Sequence, residues 1–110
     1  MIQLRGYIDE DGSKRFAKWF EALDPSGAAK VVIALTRMEQ GNFSNGRSVG
    51  KGVWEYKIDF GPGYRIYFGR DGDALVILLG GGIKKRQSRD IQEAQACWAV
   101  YRRRKKLETH

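Results

Sequence analysis

The stretch from Val53 to Arg70 limits the possible folds more than any other part of the chain. Val53 to Phe60 puts Trp54, Tyr56, Ile58 and Phe60 on one face of an extended segment and Glu55, Lys57 and Asp59 on the other. Gly61-Pro62-Gly63 is a tight turn, and beyond it Ile66 and Phe68 alternate with Arg65 and Tyr67. Period two on both sides of a turn predicts an antiparallel hairpin. Asp71-Gly72-Asp73 is a second turn, leading into Ala74 to Leu79, apolar throughout as a central strand covered on both faces would be. Gly80-Gly81-Gly82 is expected to break that strand.

Upstream the period changes. Gln3 to Asp9 reads as a first strand with Ile2, Leu4 and Ile8 on one face, and Asp9 to Gly12 as a turn. Phe16, Trp19, Phe20 and Leu23 recur at helical spacing within a helix over 13–23. Asp24 and Pro25 supply an N-cap and a first helical position for a second helix, with Val31, Val32, Leu35 and Met38 on its apolar stripe and Gly41 at its stop. Asn42 to Gly52 is polar and glycine-rich, hence a loop. Ile91, Ala94, Trp98 and Tyr101 mark a third helix from Gln87 to about Lys105. The order β-α-α-β-β-β-α predicts an α+β fold: a helical hairpin packed on a mainly antiparallel four-stranded sheet, with a C-terminal helix. No repeat or linker divides residues 1–110, so one domain is expected.

Charge is unevenly placed. Twenty Lys and Arg against 13 Asp and Glu give a net +7. Residues 84–106 concentrate it: Lys84, Lys85, Arg86, Arg89, Arg102, Arg103, Arg104, Lys105 and Lys106 face only Asp90 and Glu93. Such a block attracts a polyanion or serves as a solvated face. The longest apolar run is too short to span a bilayer, and Met1 to Arg5 lacks the layout of a signal peptide, so a soluble cytoplasmic protein with no membrane contact is expected. The single cysteine, Cys97, excludes an internal disulfide and a multi-cysteine zinc site and reads as a packed or partly exposed thiol. The one histidine is the last residue, His110, which disfavours histidine triads and histidine-pair ribonucleases. No metal-ligand spacing or phosphate-loop pattern occurs, so neither a metal nor another cofactor is expected.

The remaining chemistry is cationic. Lys57 and Arg65 are expected as cross-strand or diagonal neighbours, with Tyr67 on Arg65's face, and Lys84, Lys85 and Arg86 follow the next strand. If that loop folds over the same face, these cations converge and can stabilise charge developing on a phosphorane during RNA cleavage. Alternatively, Lys57 and Arg65 pair with Glu55 and Asp59 on a wet sheet face. Trp19, Trp54 and Trp98 read as core.

The run from Val53 to Phe68 resembles the central hairpin of RelE/ParE-superfamily toxins. It is most similar to the HigB-like addiction module killer proteins and to phage Gp49-like proteins. Phe16-Ala17-Lys18-Trp19, the strand ending in glycines, and Lys84 to Ile91 add to the likeness, which runs over residues 2 to about 96. The basic tail from Cys97 onward is longer than that family leads one to expect. The resemblance implies the toxin of a type II toxin–antitoxin module, a metal-independent endonuclease that cuts mRNA on the ribosome and arrests growth. It implies a cognate antitoxin, of helix-turn-helix type and encoded adjacently, besides the ribosome and mRNA as partners.

Carried over by position, the resemblance gives catalytic roles to Lys57, near the 2′-hydroxyl; Arg65, on the phosphate; and Lys84 and Lys85, near the leaving oxygen. Tyr64, Tyr67, Arg86, Arg89, Asp90, Arg102, Arg103 and Arg104 are the expected RNA or ribosome contacts. Asp59 stands where RelE has a second strand lysine. ParE-like members share the fold and inhibit DNA gyrase, which leaves a gyrase inhibitor and a non-catalytic nucleic-acid-binding regulator as the other readings.

Overall fold

A computed structural model describes residues 1–108, and His110 lies outside them. Five strands and three α-helices run in the order β1 (Gln3–Gly6), α1 (Arg15–Glu21), α2 (Pro25–Glu39), β2 (Gly46–Gly50), β3 (Val53–Ile58), β4 (Tyr64–Arg70), β5 (Leu75–Ile83), a 3₁₀ turn (Lys84–Arg86) and α3 (Gln87–Glu108). The α+β class and the C-terminal helix agree with the sequence reading; the sheet does not. It has five strands in the order β1-β5-β4-β3-β2, and it is mixed, because β1 runs parallel to β5.

The additional strand is β2, inside the segment expected to be a loop. It pairs antiparallel with β3 through a two-residue turn, Lys51-Gly52, in which both residues have positive φ (56° and 81°). That geometry matches the twist of a hairpin. A second correction concerns β5, which continues through the three glycines to Ile83 because Gly81 and Gly82 pair with Ile66 and Arg65 of β4. Glycine is required there for close approach. A Cβ on Gly81 would overlap the Trp19 ring, and one on Gly82 would overlap the Asp90 carboxylate.

Nor do α1 and α2 form a self-packed hairpin. Asp24 caps α2 as expected, accepting from the Gly27 N–H at 3.3 Å. Each helix, however, lies on the same face of the sheet and packs against strands. Trp19 of α1 sits over β5, while Val31, Ala34 and Met38 of α2 join Tyr56, Ile66, Phe68, Val76 and Leu78 in one apolar core. The first strand is shorter than expected, and it is Tyr7 that turns inward (3% exposed) while Ile8 is 48% exposed.

The other face of the sheet is covered by α3. Ala94, Cys97 and Trp98 pack on Tyr7, Val53, Tyr67, Ile77 and Leu79, so the Cys97 thiol is buried and its pKa pushed up by that burial. No helix among the described residues is long and apolar enough to cross a membrane.

Candidate nucleic-acid interface

Alternation along β3 and β4 sends Glu55, Lys57, Arg65 and Tyr67 to the α3 side. Lys57 stands directly opposite Arg65 in the strand register, and Arg65 directly opposite Gly82. The side chains then diverge in environment. Lys57 is exposed at the end of the sheet, whereas Arg65 is only 4% exposed. Arg65 Nη1 donates to the Gly63 carbonyl at 2.7 Å, and the same carbonyl accepts the Lys84 N–H at 3.0 Å. A Cβ placed on Gly63 would be 3.1 Å from Arg65 Nη1 and 3.3 Å from Lys84 Cβ. Lys57, Arg65 and Lys84, drawn from β3, β4 and the 3₁₀ turn, thus meet at one end of the α3 face. Lys85 and Arg86 are exposed on the same turn.

Glu55 is near Arg65 as the alternative reading had it, but not on a wet face: it is 1% exposed and lies at the centre of a polar network. Its Oε2 accepts from the Tyr67 hydroxyl at 3.1 Å and from Gln87 Nε2 at 2.9 Å, and lies 3.6 Å from Arg65 Nε. Its Oε1 takes Arg47 Nε at 3.0 Å. Burial, followed by the charge of Glu55, pushes the Tyr67 hydroxyl pKa well up, so at neutral pH this group donates. Glu55 and Gln87 lie in the two segments that carry the family likeness, Val53 to Phe68 and Lys84 to Ile91, but neither was given a role there. The available signal was positional: Glu55 shares the inward series with Arg65 and Tyr67, and Gln87 opens the helix that closes over that series.

Asp90 follows one turn later on α3, with its carboxylate over Gly82 and hence beside Arg65's strand position. Burial raises its pKa, against the opposing charge of Arg86. Glu93 is desolvated too, but hydrogen bonds from Arg15 at 2.7 Å and Arg89 at 3.3 Å outweigh that and hold its pKa low. Arg15, Trp19, Gly80, Gly81 and Asp90 line a cleft of about 300 Å³ between α1 and α3.

Other expected contacts lie elsewhere. Tyr64 is buried on the α1–α2 face, its hydroxyl on Asp24 at 3.2 Å, so its ring is on the opposite side of the sheet from Arg65's side chain. Arg102 lies fifteen residues beyond Gln87, about 22 Å along α3. Arg103 is exposed, while Arg104 packs over the Tyr7 ring and donates to the Ile8 carbonyl at 2.6 Å. The basic C-terminal quarter is therefore split between two ends of one helix. Trp54, expected in the core, is 36% exposed at the Arg102 end. Among the described residues, no group of three or more His, Cys, Asp or Glu is placed to hold a metal ion.

The molecule is thus a small α+β protein with a mixed sheet, two helices on one face, one long helix on the other, and a cationic end. Residues 18–102 match the family described as phage-derived protein Gp49-like (DUF891), and the chain belongs to that family, which is associated with toxin–antitoxin modules. It is also similar to an uncharacterized protein of Haemophilus influenzae, 41% identical over 81 residues that make up 73% of this chain and 82% of that relative. The family implies a cognate antitoxin partner.

Proposed function

We propose that this protein is the toxin of its module and acts as an endoribonuclease on mRNA at the ribosome. The observation that carries the reading is the meeting of Lys57, Arg65 and Lys84 at one end of the α3 face. In phosphodiester cleavage a ribose 2′-hydroxyl gives up its proton to solvent and forms a new P–O bond, charge builds on the phosphorus oxygens, and the P–O bond to the 5′-oxygen breaks as that oxygen takes a proton from a lysine ammonium or water. Cations at this position, of which Arg65 is held by its partners, lower the energy of that transition state. Lys57, exposed, meets the nucleotide carrying the 2′-hydroxyl, and the Lys84–Lys85 pair meets the leaving oxygen. Arg65 forms the floor beneath the phosphate, held in place by Glu55 and the Gly63 carbonyl. An antitoxin that covers this end would silence the activity.

Induced expression followed by 5′-end mapping of transcripts tests the reading, with cuts expected within translated mRNAs. Lys57→Ala is the decisive variant because the side chain is exposed and its loss leaves the fold intact. Its cleavage should fall by about a hundredfold or more. Intact transcripts in arrested cells, or undiminished cleavage by folded Lys57→Ala, would overturn the proposal. Intact transcripts together with DNA damage signalling would point to gyrase.

A further inference from the structure

Arg47 of β2 stands directly opposite Glu55 of β3 in the strand register, so its side chain shares the α3 face with Glu55, Lys57 and Arg65. It is tethered at one atom: Nε donates to Glu55 Oε1 at 3.0 Å, yet the side chain is 65% exposed. Among the described residues no hydrogen bond engages its two terminal nitrogens. Glu55 cannot neutralise both guanidiniums that it faces. Arg65 Nε is buried 3.6 Å from Oε2 and makes no hydrogen bond of its own, so one carboxylate serves two cations and a positive charge is left over. A guanidinium oriented through Nε presents its other edge as a fork of donors, which fits a phosphate in two-point contact.

Arg47 also completes a series. Lys84 follows β5, Arg65 lies on β4, Lys57 on β3 and Arg47 on β2, so each of four neighbouring strands brings one cation to this face or its end. Arg47 and Lys57 are diagonal neighbours across β2 and β3, about 7–8 Å apart, which a single-stranded backbone can span from one phosphate to the next. A carboxylate would fit the same fork. The exposed apolar side chains at this end, Ile33 and Phe60, lie in a groove beside α2 on the other side of the sheet, so the apolar contacts that a docked peptide needs are offered there and not beside Arg47. We propose that Arg47 is a further phosphate contact for single-stranded RNA, holding the phosphate next to the one at Lys57 and Arg65. The proposal rests on the reading that RNA is what the protein handles, and it adds a binding residue that takes no part in bond breaking.

The test is fluorescence anisotropy with a short labelled oligouridylate over a range of salt, together with mRNA cleavage in a translating extract. Wild-type protein should bind the oligonucleotide. Arg47→Ala should lower the slope of log affinity against log salt by about 0.7. Arg47→Gln, which can still donate to Glu55 but carries no charge, should lower it equally, and Arg47→Lys should keep the wild-type slope. Arg5→Ala, which removes an exposed cation from β1 at the opposite edge of the sheet, should leave the slope unchanged. A merely structural tie to Glu55 would show in the melting temperature and not in these slopes. Slopes that fall as expected while the wild type leaves mRNA intact would uphold the contact and refute only the endonuclease. Absence of binding by the wild type, an unchanged slope in folded Arg47→Ala or Arg47→Gln, or an equal fall in Arg5→Ala would overturn the proposal. So would polyglutamate binding of equal strength with the same dependence on Arg47, which would make the surface a protein-docking site.

Discussion

On the α1–α2 face of the sheet, Tyr56, Ile66, Phe68, Val76 and Leu78 meet Val31, Ala34 and Met38 across an apolar interface. On the α3 face the same strands turn Glu55, Arg65 and Tyr67 inward, and Glu55 and Arg65 are the buried charged side chains among the described residues. Both faces are closed, but they are not equivalent energetically. Apolar burial stabilises in proportion to the area removed from water. A buried ion pair scarcely does, since desolvating both charges offsets their attraction. The difference teaches that both faces stabilise through apolar cores, the second around Trp98, but only the second also holds a guanidinium in a fixed position, at a cost the fold alone does not require.

Substitutions that separate the two faces should follow this order. Phe68→Ala, fully buried on the first face and stacked on Phe43, should cost about 4 kcal/mol in denaturant unfolding. Glu55→Ala should cost about 3 kcal/mol, because it leaves the Arg65 charge buried without its carboxylate and deprives the Tyr67 hydroxyl of its acceptor. A loss at Glu55 well below 1 kcal/mol would show that the network is looser than its geometry.

Two carboxylates on or near α3 should respond to pH with opposite signs. Asp71 has its pKa lowered in the fold, so its contribution is present above the unfolded value and disappears as pH falls through the folded one. Asp71→Asn should therefore destabilise by about 1 kcal/mol at neutral pH, with the deficit closing in acid. Asp90 has its pKa raised, so its ionised form costs stability above the folded value, and that cost vanishes on acidification. Asp90→Asn should raise the melting temperature slightly at about pH 7 and leave it unchanged at about pH 3. Melting curves at the two pH values check both signs.

The same contrast explains what could be read from the residues. The β3–β4 hairpin, with Lys57 opposite Arg65, was legible because alternation and Gly61-Pro62-Gly63 fix the register locally. The Asp24-Pro25 helix start was legible for the same reason. β2 was not, because Gly-Arg-Ser-Val-Gly at a sheet edge needs hydrogen bonds on one side and little apolar pattern. The glycines of β5 looked like a break, whereas they admit Trp19 on one face and Asp90 on the other. Glu55 was misplaced because a charge in a strand reads as outward-facing unless the helix that buries it is known. Its partner Gln87 lies 32 residues away, beyond the reach of any local pattern.

If the α3 face carries its charges for action on RNA, those charges should be dispensable for folding. The variant Glu55→Leu, Arg65→Met, Tyr67→Phe replaces the network with apolar side chains of similar size. Cleavage of mRNA by this variant in a translating extract, once unfolding has shown it at least as stable as the wild type, tests the claim most directly. The account predicts a folded protein that leaves mRNA intact. Cleavage at the wild-type rate by that folded variant would contradict it.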